Sequence, residues 1–183
     1  MRTANEMDQY SMSHNFSYNG SALQHFAVIE KNLLPDEEVL VAMAPNSVYN
    51  GSTIVMGGIT AVAFTNKRFI CGRKALIMGE PVKIVSLENV NDIHKETFGI
   101  VDGKIMIDTI RENIGILLGK SQLDAAFQTV VEVLETYRKN ASNGAVVQQI
   151  SPADELKKFK ELLDMGVISQ EEFDAKKKQI LGL

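Results

Sequence analysis

The chain has 183 residues, of which 45% are hydrophobic and 23% are charged, a composition typical of globular proteins. Its formal net charge is −4 and no segment is strongly basic, which argues against broad nucleic-acid binding and against generic attraction to anionic membranes. The single cysteine, Cys71, excludes a disulfide within the chain and a cysteine-only zinc site.

The first 20 residues are polar, rich in asparagine and serine, and without periodicity. We therefore predict that residues 1–20 form a disordered or adaptable tail. This segment lacks the apolar stretch of a secretory signal, and no apolar run approaches the ~18 residues needed to cross a bilayer. The expected location is the cytoplasm.

A helix is predicted over residues 21–33. Ser21 and Gln24 have the spacing of a capping box, and Pro35 marks the end of the helical pattern. A mostly apolar stripe follows the helical period, and it comprises Leu23, Phe26, Ala27, Glu30 and Leu33.

Short strand-like segments separated by turn residues follow from residue 38 onward. Asn50-Gly51 and Gly57-Gly58 are turn signals around a short apolar piece, and Asp102-Gly103 favours a tight type I′ turn. The spacing predicts about seven short strands in a small barrel or sandwich. The segments are residues 38–44, 59–64, 68–71, 83–87, 90–97, 98–101 with 104–109 around the Asp102-Gly103 turn, and 113–118.

A second helix is predicted to begin at Ser121, with Asp124 at the reciprocal capping position. Apolar residues recur at steps of three and four, which predicts a helix packed against the open end or an edge of the preceding sheet. These residues are Leu123, Phe127, Val130, Leu134 and Tyr137.

Residues 140–151 have neither turn chemistry nor helical amphipathicity, so we interpret them as a linker. Residues 152–183 then predict a helical hairpin, with Pro152 at the first helical position and Gly166 as the stop between the helices. Two such short helices are too small to bury all of their apolar side chains among themselves. The candidate interface residues are Leu156, Phe159, Leu162, Leu163, Val167, Ile168, Phe173 and Ile180.

That apolar surface is available to a second copy, to the strand-rich region of the same chain, or to a partner protein. The alternative is a marginal mini-domain that packs locally. The sequence favours association modestly over local packing.

The C-terminal run closely resembles the SHOCT module, a short bacterial helical hairpin found as an appendage to other domains. The resemblance implies a role in oligomerisation or partner binding. The residues that carry it are Leu156, Phe159, Leu162, Gly166, Ile168, Ser169, Glu172 and Phe173.

The middle region resembles the bacterial pleckstrin-homology-like (PH-like) domains of the YokE type. The carrying segments are residues 34–38, the block Thr65-Asn66-Lys67-Arg68 before a hydrophobic strand, residues 84–87, and the final amphipathic helix. The resemblance implies an α+β protein with a PH-like domain over residues 34–139. Its fold is a barrel or sandwich of about seven antiparallel strands capped by a C-terminal helix, with the helical hairpin as a separate unit. The pairing of such a domain with SHOCT resembles proteins found in bacterial genomes and prophages.

The local positive cluster of the strand-rich region consists of Lys67, Arg68, Arg73 and Lys74. One hypothesis is an anion site or a phospholipid head-group site. The alternative, that these residues protect strand ends against edge pairing, is favoured because the chain has no basic residue between Val39 and Phe64.

The sequence offers no reaction chemistry. His14, His25 and His94 are not spaced as metal ligands on one element, and no carboxylate pair or nucleophile motif is recognisable. We expect no catalytic residue, no metal and no cofactor.

The leading hypothesis is a non-enzymatic binding and assembly protein that forms a homo-oligomer or holds a protein partner. The alternatives are a peripheral module that binds anionic lipid and, less favoured, an unrecognised enzyme.

Overall fold

The computed structural model describes residues 1–75, 79–98 and 100–145, together with five single residues nearer the C-terminus. Those five are Lys160, Leu163, Gln170, Phe173 and Lys177, each of them helical. The chain divides into two compact units, Met1–Arg138 and Lys139–Leu183. Because only five residues beyond residue 145 are described, most of the predicted hairpin lies outside the described residues.

Apart from the five single helical residues, the described chain contains two N-terminal helices, nine strands, a short 3-10 helix and one long helix. The helices are α1 (Ala4–Ser13), α2 (Leu23–Asn32), the 3-10 turn Leu87–Asn89 and α3 (Lys120–Ala145). The strands are β1 (Val39–Met43), β2 (Ser47–Asn50), β3 (Thr53–Gly57), β4 (Ala61–Thr65), β5 (Arg68–Gly72), β6 (Val82–Ser86), β7 (Val90–Phe98), β8 (Asp102–Thr109) and β9 (Asn113–Gly119).

The strands form two antiparallel sheets. One has the order β1-β4-β5-β6 and the other the order β3-β2-β9-β8-β7. The predicted α+β fold is confirmed as a sandwich and not a closed barrel. The two strands beyond the expected seven are β2 and β3, a hairpin around Asn50 and Gly51 that the sequence marks merely as a turn signal.

The main core lies between the two sheets and is closed by α3. Phe64 and Phe69 pack edge to face at its centre, with ring centroids 5.3 Å apart. The predicted apolar face of α3 is confirmed, because Leu123, Val130 and Leu134 are buried in this core. Aromatic and branched side chains on the inner faces of both sheets supply most of the buried area.

A second core lies where α1 and α2 cover the outer face of the four-stranded sheet. Met7 and Phe26 are fully buried there against Ile70 of β5. Residues 1–20, predicted to be a disordered or adaptable tail, therefore include an ordered helix. Thr3 and Glu6 form a capping box at its start, and the buried Met7 fixes one face of it.

Two carboxylates connect α1 and α2 through reciprocal hydrogen bonds. The Ala4 N–H of α1 donates to Glu30 Oε2 of α2 at 2.7 Å, and the Ala22 N–H ahead of α2 donates to Asp8 Oδ1 of α1 at 2.6 Å. Each helix thus supplies an acceptor for a free amide at the start of the other. A polar segment without periodicity is ordered here by partners that are remote in sequence.

The predicted cap of α2 is wrong, whereas its predicted stripe is confirmed in part, because Phe26 is buried and Ala27 and Leu33 pack against the second core. The Ser21 hydroxyl donates to Asp8 Oδ2 at 2.7 Å instead of capping the helix, and Ala22 is the N-cap without a side-chain bond. Leu23 is 45% exposed. The buried face consists of His25, Phe26, Val28 and Ile29.

The turn between β7 and β8 lies before Asp102-Gly103 and not at this dipeptide. Phe98 pairs with Asp102 and Thr97 pairs with Gly103, so both residues of the predicted turn belong to β8. A Cβ at Gly103 would come within 2.5 Å of Leu123 Cδ2. The glycine is needed for the close approach of α3, which the local sequence does not reveal.

The start and end of α3 also differ from the prediction. The helix begins at Lys120, and Gln122 Oε1 accepts the Gly119 N–H at 3.0 Å, so Ser121 is not the cap. The helix continues to Ala145, which makes residues 140–145 of the predicted linker helical. Residues 146–151 lie outside the described part of the chain.

Candidate functional site

The predicted anion cluster is distributed over the two ends of β5. Lys67 and Arg68 stand at its start, whereas Arg73 and Lys74 follow its end. The Lys67 ammonium donates to Asp36, and this contact lowers the pKa of the Asp36 carboxyl. The cation at this position is therefore matched by an anion of the same chain.

Arg68 forms a two-point ion pair with Glu37. Its Nε donates to Glu37 Oε1 at 2.8 Å and its Nη2 donates to Glu37 Oε2 at 2.7 Å. The Glu37 side chain is 0% exposed and also accepts the Thr65 hydroxyl at 2.7 Å and the Leu34 N–H at 2.9 Å. Burial acts to raise the pKa of Glu37, but the hydrogen bonds from Arg68, Leu34 and Thr65 outweigh it and the pKa is lowered.

At the other end of β5, the Arg73 side chain reaches Gly58, which follows β3. Its guanidinium nitrogens approach Gly58, where a Cβ would come within 3.0 Å of Nη2. Arg73 Nε is buried without a hydrogen-bond partner among the described residues. The nearby His25 ring accepts the Lys74 backbone N–H at Nδ1, 3.1 Å away, and burial followed by the Arg73 charge lowers the pKa of His25.

The four basic residues therefore do not converge on one site. Lys67 and Arg68 are engaged by Asp36 and Glu37, and Arg73 with Lys74 stands at the opposite strand end. The Lys67–Asp36 pair is exposed, whereas the Glu37 carboxylate of the second pair is buried. The anion-site hypothesis is thereby reduced to Arg73 and Lys74.

Cys71 is buried within β5. Burial raises the pKa of its thiol to about 12. A thiol with such a pKa stays protonated at neutral pH and is a poor nucleophile. Cys71 therefore behaves as a small buried hydrophobe.

Three metal-ligand side chains meet on the outer face of the β7–β8 hairpin. Asp92, His94 and Asp108 bring ligand atoms within 4.8 Å of one another. Asp92 and His94 are two residues apart on β7, and Asp108 lies opposite Asp92 on β8. The sequence did not reveal this group because the third member comes from the neighbouring strand. Its donors suit a divalent transition metal, but such exposed carboxylates are also common on sheets without one.

A cleft of about 390 Å³ opens between the edge of β6 and the turn that joins β8 to β9. We call it the β6 cleft, and it is lined by residues 84–86, Asn89 and residues 109–112. Ile84 is 44% exposed and Ile110 is 68% exposed. No motif in the sequence pointed to this cleft, because its two walls are brought together by the sandwich.

The predicted hairpin interface is represented by two described residues. Leu163 and Phe173 are helical and half-buried. The other members lie outside the described residues, and they are Leu156, Phe159, Leu162, Val167, Ile168 and Ile180. In the part of the chain that is described, no helix combines the length and apolarity that crossing a membrane requires.

Comparison with known families confirms both resemblances. A family model described as a bacterial PH domain matches residues 33–132, and one described as a short C-terminal domain, SHOCT, matches residues 154–181. No curated protein sequence matches the chain.

Three solved structures are similar to part of this chain at low identity. A DUF1696 family protein with a pleckstrin-homology domain from Shewanella loihica PV-4 is 15% identical, with a TM-score of 0.40 over 60% of this chain and 86% of that one. A pleckstrin homology domain from Shewanella amazonensis SB2B is 19% identical, with a TM-score of 0.36 over 62% and 91%. The hSac2 domain of the human phosphoinositide phosphatase Sac2 is 13% identical, with a TM-score of 0.41 over 62% and 77%.

Proposed function

This chain belongs to the bacterial PH domain family, and from that premise we propose that it is a non-enzymatic binding and assembly protein. The sandwich serves as a rigid platform for a protein partner. The short C-terminal domain at residues 154–181 joins copies of the chain to one another. PH-like and short C-terminal domains are in general binding modules without catalysis, which supports the proposal.

The observation that carries the proposal is the partial exposure of apolar side chains in the C-terminal unit. Leu163 and Phe173, one in each half of the short C-terminal domain, are helical and half-buried. The two short helices that the sequence predicts here would hold too small a core to bury every apolar side chain. Association with a second copy removes such surface from water, and each fully buried leucine or phenylalanine contributes roughly 1.5–3 kcal/mol.

The arrangement of charges in the sandwich supports a role in protein binding and assembly over a role in lipid binding. Lys67 and Arg68 are held by carboxylates of the chain, which leaves Arg73 and Lys74 as the basic residues that a head group would meet in the predicted cluster. Two cations contribute little to attraction toward an anionic membrane. Flotation with vesicles that contain or lack anionic lipid separates the two functions, because an assembly protein floats with neither.

The assembly role is tested by light scattering on the full chain and on two variants of it. We expect Leu163→Lys and Phe173→Lys to shift the measured mass toward that of a single 20.2 kDa chain, because a charge in the interface disfavours association. Lys177→Gln, at an exposed position of the same unit, is the matched control and leaves the mass unchanged.

The unfolding temperature of the sandwich, measured for each variant, establishes that the unit Met1–Arg138 remains folded. An unaltered mass in both lysine variants would show that these side chains do not lie in an interface.

A further inference from the structure

Strand β6 is the less protected edge of the four-stranded sheet. At the opposite edge the N-terminal segment covers β1, since the Val39 N–H donates to the Met1 carbonyl at 2.9 Å and Ser17 bridges Ala44. No described strand pairs with the outer side of β6. Its sequence, Val82–Ser86, contains a single charged residue, so it lacks the repeated charges that usually protect an edge.

The phase of the β5–β6 ladder determines which backbone groups of β6 are free. Beyond the two ends of the ladder, the Arg73 N–H donates to the Pro81 carbonyl at 3.1 Å and the Leu87 N–H donates to the Lys67 carbonyl at 3.0 Å. Hydrogen-bonded and non-hydrogen-bonded pairs alternate in an antiparallel ladder, and the register between these points is regular. The residues whose N–H and C=O groups point away from β5 are therefore Val82, Ile84 and Ser86.

The β6 cleft lies along this open edge and combines apolar walls with a positive charge. Ile84 and Ile110 supply exposed apolar surface. Glu112 is matched by the Lys83 ammonium and also accepts Asn50 Nδ2 at 2.7 Å. Arg111 also lines the cleft, and no hydrogen bond or ion pair joins its guanidinium to another residue in the described ranges.

We infer that β6 binds an extended segment of a partner protein, which adds an antiparallel or parallel strand to this edge. The segment carries apolar side chains at alternate positions and one carboxylate. The backbone of the segment forms hydrogen bonds with the N–H and C=O groups of Ile84 and Ser86 that point away from β5. Its apolar side chains enter the β6 cleft, and its carboxylate forms an ion pair with Arg111. The inference rests on the proposed role of the sandwich as a platform and is independent of assembly through the C-terminal unit.

Charge complementarity favours a different protein over a second copy at this edge. Pairing of β6 with β6 of another chain would bring no carboxylate from within the strand to Arg111, because Lys83 is the sole charged residue of Val82–Ser86. A partner segment with an acidic residue satisfies the guanidinium and the free amides at once.

The test is selection of octapeptides from a displayed random library by the full chain, followed by affinity measurement. Enriched peptides should alternate apolar residues around one acidic residue. Arg111→Gln should weaken binding about tenfold, because it removes a charge-assisted hydrogen bond. Ile84→Pro should weaken binding at least as much, since it deletes an outward N–H without breaking a ladder bond. Lys74→Gln, at an exposed position on the far end of β5, is the control and should bind normally.

Peptides made with N-methyl groups on the strand-facing amides provide the second readout, and they should lose binding at unchanged side-chain composition. Failure to enrich any peptide would overturn the inference, as would equal binding by Ile84→Pro or by the N-methylated peptides. A change of mass in light scattering with Ile84→Pro would instead identify β6 as a self-association edge. None of these results would alter the mass change expected for Phe173→Lys, so the two proposals fail separately.

Discussion

Glu37 and Arg68 form the buried ion pair that connects the segment before β1 to the start of β5. The carboxylate is 0% exposed and the Arg68 side chain is 16% exposed. Removing one member of a buried pair leaves the other charge without compensation, which typically costs 3–5 kcal/mol. We expect Glu37→Gln to lower the free energy of unfolding by about 3 kcal/mol, measured by urea denaturation.

The adjacent Glu38 provides the control. Its side chain is exposed, so Glu38→Gln should change the free energy of unfolding by less than about 0.5 kcal/mol. Equal effects of the two substitutions would show that the Glu37–Arg68 pair does not stabilise the sandwich.

His25 makes stability depend on pH because it is buried beside Arg73. Burial, and then the Arg73 charge, lowers its pKa from the ordinary value of 6.5 in the folded state. The unfolded chain therefore binds a proton at a higher pH than the folded chain. The contribution of neutral His25 to the free energy of unfolding is therefore complete above pH 6.5. It is lost as the pH falls toward the lowered pKa of the folded state, because protonation then favours the unfolded chain.

We accordingly expect the free energy of unfolding to decrease from neutral pH to about pH 5, and His25→Gln to flatten that decrease. Glutamine keeps an acceptor for the Lys74 N–H but does not titrate. A slope that persists in His25→Gln would assign the titration to other groups.

Single residues were read correctly from sequence where the signal is local and incorrectly where the partner is distant. The basic residues Lys67 and Arg68 stand out in the sequence, but each binds a carboxylate 31 residues earlier in the chain. Local sequence does not encode this pairing. The sequence therefore left both an anion site and strand-end protection open, and the fold pairs two of the four basic residues with carboxylates.

At the scale of elements, Gly103 couples strand β8 to helix α3. A Cβ there would lie 2.5 Å from Leu123 Cδ2 and 2.9 Å from the Glu96 carbonyl oxygen. Gly103→Ala should destabilise the protein by about 1–3 kcal/mol, the usual cost of overpacking. Calorimetric or denaturant unfolding measures the effect.

A double-mutant cycle identifies the cause. Leu123→Ala opens space above the strand, so Gly103→Ala should cost less in that background than alone. Strict additivity of the two substitutions would mean that Gly103 and Leu123 do not compete for the same space.

Element prediction succeeded where periodicity was clear. The hairpin of β4 and β5, strand β6 and the apolar face of α3 follow directly from alternation or from steps of three and four. Helix α1 was missed because its order depends on Met7 and on carboxylate contacts with α2, and not on an apolar stripe. Strands β2 and β3 were missed because the hairpin is very short.

At the scale of the whole molecule, the two family matches cover two different parts of the chain, residues 33–132 and residues 154–181. The sandwich is held by a core that two sheets and α3 bury, and it carries an open edge at β6. The short C-terminal domain occupies residues 154–181 and contributes Leu163 and Phe173, both half-buried. Composition and motifs predicted both units, whereas the β6 cleft became visible when the two sheets were placed face to face.

Assembly by the C-terminal unit is tested most directly by the mass of the unmodified chain in solution, followed by light scattering over a wide range of concentrations. The account predicts a mass that is a multiple of 20.2 kDa and that falls toward 20.2 kDa on dilution. A constant mass of 20.2 kDa at every concentration would contradict it.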